Sequence, residues 1–353
     1  DTISKNYEMD QDSKYLWKKN NPEILNYKFN NYELLGNICY ISYGLRPNAD
    51  EKTAKGAFSK NDLISEKKTE INTKKYVEGK NIQRYKVNEI NYLEWDTERC
   101  PSKIARETFK ELYLDEKIIY GTFVEGLFDL NELICNHSLI VFKKFIDLIG
   151  IENQSINNSL SKYNKNFSRN ELERISKNFT YEYLLAIMNS KLANTFLNAI
   201  RRHKLENYFY PADFRKLPII RLKDQTIFIK LVNILQFLYQ SDKLKDIRQY
   251  LDDIILNFLI YELYFKDSLK EENLYQDLLN SIGPKLVKVN FKEWVQLKFK
   301  TDKTEQELER KKQLEEKKLK KIKQGYKEIN VPEINDKISK MQKSHWIDII
   351  ENY

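Results

Sequence analysis

The stretch FTYEYLLAIMNSKLANTFLNAIRRHKLENYFYPADFRKLPII, residues 179–220, decides how the rest of the chain reads. Tyr181, Leu184, Leu185, Met188, Leu192, Phe196 and Ile200 recur at three- and four-residue spacing. That spacing lays them on one face of an amphipathic helix, with Met188, Leu192 and Phe196 as core. Thr180 stands just before the first apolar turn, where its hydroxyl can cap the helix. The helix runs into Arg201, Arg202, His203 and Lys204, cations suited to the negative end of a helix dipole. An aromatic turn, Tyr208-Phe209-Tyr210-Pro211, follows, then Arg215 and Lys216, and Pro218 forbids helix through it. A buried helix thus delivers cations and aromatic rings to a surface.

On the N-terminal side, residues 1–30 read as a polar lead-in. Strand content follows at 34–44, 75–85 (a strand, a glycine turn and a second strand), 92–95 and 117–122. LICNHSLIVF at 133–142 reads as the clearest strand, with His137 as a hydrogen-bonded core histidine. A short helix is expected within 101–112, and a polar connection over 153–170. Beyond Pro218 the pattern is helical, with apolar stripes at 227–238 and 247–263 and a mixed helical region at 270–300. TDKTEQELERKKQLEEKKLKKIKQG, residues 301–325, reads as a charged helix closed by Gly325 at the position after its last turn. The expected fold is α+β. A mixed αβ domain at 31–222 precedes an all-helical region at 223–353.

The 353 residues leave room for two cores. With 41% apolar residues, 13% aromatics and only 9 Gly and 7 Pro, the chain is a folded protein rich in regular structure. Its net charge of +8 bears on nucleic-acid binding only if the cations cluster. Cys39, Cys100 and Cys135 are too far apart for a C-x-x-C site and suit reduced core thiols in a cytoplasmic protein. No apolar run approaches the ~18 residues that a membrane-spanning helix needs, so no membrane is expected as a partner. The chain opens on Asp1, which suits a fragment of something longer.

Several chemistries lack their residues. There is no glycine-rich loop after a strand, no pair of adjacent prolines and no phosphate-binding loop. Glu315-Glu316-Lys317 has the acid–acid–lysine text of a nuclease, but it lies in the charged helix. No catalytic residue, metal ligand or cofactor site is assigned.

Five phrases occur in a telling order: LGNICYISYGLRPNADEKTAKGAF (35–58), KKYVEGKNIQRY (74–85), LICNHSLIVF (133–142), the helix-to-turn segment ending YFYPADFRKLPI (181–219), and LDDIILNFLIYELYF (251–265). Together they resemble the TaqI-like C-terminal specificity domain of adenine-N6 DNA methyltransferases and of single-chain Type IIG restriction-modification enzymes. The resemblance covers about residues 20–265, and YFYPADFRKLP is its most specific part. It implies a cytoplasmic module that reads a target sequence in double-stranded DNA. In such enzymes a methyltransferase domain lies N-terminal and binds S-adenosylmethionine. Its glycine loop and N-P-P-Y motif are missing here, so the catalytic half either precedes Asp1 or is a separate subunit.

The family's loops match Arg46 and Asn48 in the first glycine turn, and Lys80, Asn81, Gln83 and Arg84 in the next. They also match Arg201, Arg202, Lys204, Arg215 and Lys216 around the aromatic turn. Cations on phosphates supply affinity, while Arg on guanine and Asn or Gln on adenine supply specificity. The 201–216 group is expected on phosphates and in the groove, and the loops of Arg46 and Arg84 on bases. Each has a structural alternative. Arg201 and Arg202 can simply cap a helix, Arg84 can pair with an acid, and Tyr208, Phe209 and Tyr210 can be scaffold. Helix 301–325 can be a solvated face with pairs such as Glu307 and Lys311, or a spacer arm. A second functional class therefore stays open. It is a helical protein-interaction scaffold, with a non-specific nucleic-acid binder as a weaker variant.

Overall fold

The computed structural model describes residues 27–47, 58–121, 125–201, 208–269, 273–282, 291–300 and 302–352. The strands are β1 (Tyr32–Leu34), β2 (Cys39–Tyr43), β3 (Ile64–Ser65), β4 (Asn72–Val77), β5 (Ile82–Gln83), β6 (Lys86–Val87), β7 (Asn91–Glu94), β8 (Lys117–Gly121), β9 (Gly126–Asp129), β10 (Ile134–Cys135), β11 (Leu139–Lys144) and β12 (Pro218–Ile220). They form a sheet in the order β2-β11-β8-β9, another in the order β10-β4-β7-β3, and the pairs β1-β12 and β5-β6. Sheets occupy the N-terminal half and helices the C-terminal half, which makes the fold α+β.

The β2-β11-β8-β9 sheet is buried on both faces. Side chains alternate along a strand, so neighbours belong to different cores. Ile41, Ile118, Tyr120, Ile140 and Phe142 join a core shared with the helices. Tyr40, Ile119, Leu127, Leu139 and Val141 join a second core with the β10-β4-β7-β3 sheet.

The helices are α1 (Gln154–Tyr163), α2 (Arg169–Ser176), α3 (Tyr181–Met188), α4 (Lys191–Ile200), α5 (Thr226–Ser241), α6 (residues 245–264), α7 (Leu274–Ile282), α8 (Phe291–Lys298), α9 (Glu305–Ile329), α10 (Pro332–Met341) and α11 (His345–Glu351). Within α6 the segment Tyr250–Leu256 winds as a π-helix. The helical core takes in α3, α4 and α5 alike, so packing is continuous across residue 222.

Several expectations need correction. The helix read over 181–200 is two helices. Asn189 turns its amide onto Gly126, and Ser190 caps α4 by accepting from Ala193 N. Both side chains have better partners than a continued helix offers. The capping role of Thr180 holds, since its hydroxyl accepts from Tyr183 N. The strand read over 34–44 is broken by a helical turn at Leu35–Ile38. There the main chain bonds to Arg215 and Leu217 instead of a sheet, and a Cβ on Gly36 would lie 2.9 Å from that of Arg215.

LICNHSLIVF is likewise two strands in different sheets. Asn136 makes the turn by accepting from Ser138 N and Ser138 Oγ, and His137 is exposed rather than buried. The polar stretch over 153–170 holds helix α1, capped by the Asn153 side chain. Within 101–112 the only helical element is a single turn at Lys110–Leu112.

The charged helix runs on to Ile329, with Gly325 buried inside it. Its start is fixed by a reciprocal Thr304–Glu307 cap, and Glu307 pairs with Lys300 at 2.5 Å. Ile322 and Ile329 bury against the chain's own core, and α9 lies along α7 and α8. The helix is therefore docked, not a projecting arm.

Candidate nucleic-acid interface

Strand register gathers the loops of interest at one end of the β2-β11-β8-β9 sheet. Tyr43 is opposite Ile140, Leu139 is opposite Gly121, and Tyr120 is opposite Gly126. The segment after β2, the turn at 136–138 and the start of β9 thus share that end. The β5-β6 turn joins them, because Tyr85 N donates to Gly126 O at 3.0 Å. Gly79 also reaches it, donating its N–H to Ser138 Oγ at 2.9 Å. Gly44 lets the chain pass close to β10, since a Cβ there would sit 2.1 Å from Cys135 O.

Arg46 follows directly and is exposed. Its main chain exchanges both hydrogen bonds with Arg106, at 2.8 and 3.0 Å. Lys60 lies across from them, 2.8 Å from Glu78, and Lys80 is 4.0 Å from the same carboxylate. His137 sits among these charges. Although its surface is exposed, neighbouring atoms partly desolvate the ring; that desolvation, then Arg46, Arg106 and Lys60, hold its imidazole below the ordinary histidine range, against a smaller opposing pull from Glu78. Glu78 thus pairs with Lys60 and Lys80, while Arg46, Arg106 and Lys60 surround the imidazole.

The basic strip continues along the outer edge of β2. The Arg106 guanidinium donates to Gly44 O at 2.8 Å and that of Arg215 to Ile41 O. Arginines on carbonyls of an edge strand block its pairing with another chain. Arg215 also stacks on Tyr163, 4.1 Å from the ring centre. Tyr40, in β2 between these groups, has both Arg215 and Arg106 among the charges acting on its hydroxyl.

The structure therefore brings Arg46, Lys80 and Gln83 to one end of the sheet, with Arg215 on the adjoining strand edge. Lys216 is exposed one residue on. Arg201 ends α4, its N–H bonded to Leu197 O, and is half-buried. Asn48, Arg202 and Lys204 lie outside the described residues. Asn81 is scaffold. It is buried, accepts from Glu78 N and donates to Glu89.

Arg84 does not face outward as a base reader. Its Nε and Nη2 each donate to Asp252 at 2.6 Å, and Nη1 donates to Asn189 O at 2.5 Å. Burial opposes its charge, but Asp252 overrides that and raises its pKa well above the usual arginine value. Tyr239 completes the clamp, its hydroxyl 2.7 Å from Asp252. Three of its five donors and its side-on edge are thus committed to the fold.

Sequence reasoning missed Lys60, Arg106 and the exposure of His137. The Asn-His-Ser text within an apolar run was the available turn signal. Nothing local marked Arg106, which a main-chain bridge sets beside Arg46, or Lys60, which meets the distant Glu78. No protein-family model and no curated protein matches the chain.

Proposed function

We propose that the chain is the DNA target-recognition portion of a restriction-modification adenine-N6 methyltransferase. Methyl transfer from S-adenosylmethionine would then belong to a domain or subunit outside these residues. The observation that carries this reading is the gathering of Arg46, Arg106 and Lys60 about His137 at one end of a sheet, with Lys60 and Lys80 on the neighbouring Glu78. Like charges held together repel, and a row of phosphates relieves that repulsion while releasing condensed counterions. Gln83, exposed on the adjoining turn, offers the donor–acceptor pair that matches adenine in the major groove. Arg46 offers the pair of donors that matches guanine.

A pool of fluorescent duplexes with randomised centres tests the proposal on the full chain, alone and with its catalytic half. Binding should be tight at low salt, weaken steeply from roughly 50 to 200 mM, and enrich one sequence. No binding at low salt in either form overturns the proposal. Binding without enrichment leaves only a charge-driven nucleic-acid binder.

A further inference from the structure

The β5-β6 turn meets the helical half through a set of buried polar contacts. On one side of the turn, Arg84 reaches Asp252 with two donors. On the other, both main-chain groups of Val87 bond the Gln240 side chain, at 2.9 and 2.8 Å. Between them Tyr85 takes a left-handed conformation, φ 58°, and its ring lies 5.5 Å from that of Tyr239.

The helical side is shaped to match. Asp252 lies in the π-helical part of α6, and its side chain is fully buried. Asn257 donates its side-chain amide to the carbonyls of Asp252 and Asp253. π-Helical turns are rare and frequently mark functional sites. Here the irregular turn carries a carboxylate that would be costly to bury without Arg84. Gln83, one residue before the clamp, is exposed on the turn that Tyr85 ties to Gly126 at the end of the sheet.

We infer that Arg84 and Asp252 are positioning residues for sequence reading: they lock the β5-β6 turn to the helical half and so fix Gln83 against the DNA groove. This rests on the function proposed above. The chemistry is that of a preorganised reader. A side chain on a turn gripped from both sides loses little freedom on binding, so its hydrogen bonds to a base go into discrimination. The clamp also ties the reading of one base to the placement of the helices.

The test uses the full chain and the same randomised duplex pool. Gln83→Ala removes the reading side chain and should flatten preference at one base position. Arg84→Lys keeps the charge but loses the two-pronged grip, and should flatten preference at that same position by tenfold or more. Its salt dependence should stay that of the wild type, because no phosphate contact is lost. A purely structural role would instead lower binding to every sequence alike.

If Arg84→Lys does not fold, Tyr239→Phe loosens the clamp by one hydrogen bond to Asp252 and should shift the same position more weakly. Unchanged base preference in a folded clamp variant overturns the inference, as does a uniform loss over all sequences. A wild-type chain that binds no duplex overturns the underlying function instead, so the two failures are distinguishable.

Discussion

Gln236 on α5 holds Phe128 on β9 by both of its main-chain groups. Phe128 N donates to Oε1 at 2.5 Å, and Nε2 donates back to Phe128 O at 3.2 Å. One turn along the same helix, Gln240 treats Val87 on β6 alike, and Asn189 does so for Gly126 at the start of β9. β9 is an edge of its sheet. Buried main-chain groups must find partners, and here side-chain amides from the helices stand where a further strand would pair. Apolar contact alone tolerates sliding, whereas these bonds fix the register of sheet against helices.

That arrangement makes Gln236 costly to change. Gln236→Ala leaves the N–H and C=O of Phe128 buried without partners, at about 1–3 kcal/mol for each such group. Gln236→Glu keeps the shape but sets a carboxylate against a carbonyl, and should be at least as damaging. The urea midpoint reads both. A midpoint within error of wild type for either variant refutes the bracing role of the amide.

Lys318 on α9 is buried, with its amine 4.9 Å from the centre of the Phe237 ring. Burial pulls its pKa down to about 7. An unfolded lysine titrates near 10.4, so between these values the unfolded chain holds more protons than the folded one. Stability therefore rises with pH across that window, and the penalty is fully present below it. Lys318→Met should raise stability near neutral pH by on the order of 1 kcal/mol and remove this part of the slope. Thermal melts at several pH values check the point, and a variant with lower melting temperature and unchanged slope contradicts it.

The sequence made some of this legible and hid the rest for identifiable reasons. Three- and four-residue spacing found α3 to α6, because an amphipathic face is written locally. Thr180 as a cap was equally local. The break at Asn189 was hidden, since its amide bonds a strand more than sixty residues earlier. The turn at His137 was visible in its Asn and Ser neighbours, but the flanking apolar residues outweighed it. Arg84 could not be separated from Arg46 by type or by loop, and only the distant Asp252 distinguishes a clamp from an exposed cation. The candidate interface was thus half legible. Arg46, Lys80 and Gln83 followed only from the family resemblance of their glycine-turn loops, while Lys60 and Arg106 depended on pairings that no local pattern records.

If the basic end of the sheet meets DNA phosphates, removing its cations should act through salt. Arg46→Ala or Lys80→Ala should each reduce the slope of log affinity against log salt by about 1. Lys80→Ala should weaken binding alike for all sequences, because its side chain is mostly exposed and its nearest acid is 4.0 Å away. Arg46→Ala should in addition relax preference at one base. Unchanged slopes in both variants would place the DNA elsewhere on the molecule.

His137 gives the same surface a pH dependence whose sign can be derived. In the free protein its imidazole is held below the histidine range by partial desolvation and by Arg46, Arg106 and Lys60. Phosphates brought close favour the charged imidazole and raise that value. A DNA complex would therefore bind more protons than the free protein does, and affinity should increase as pH falls through the histidine range. Each unit of difference between the free and bound values would correspond to about tenfold in affinity. His137→Gln keeps a polar side chain of similar size and should remove most of that change while leaving affinity at pH 8 nearly as it was. Isothermal titration in two buffers of different ionisation heat measures the proton uptake directly. Uptake that persists in His137→Gln would assign the pH dependence to another group.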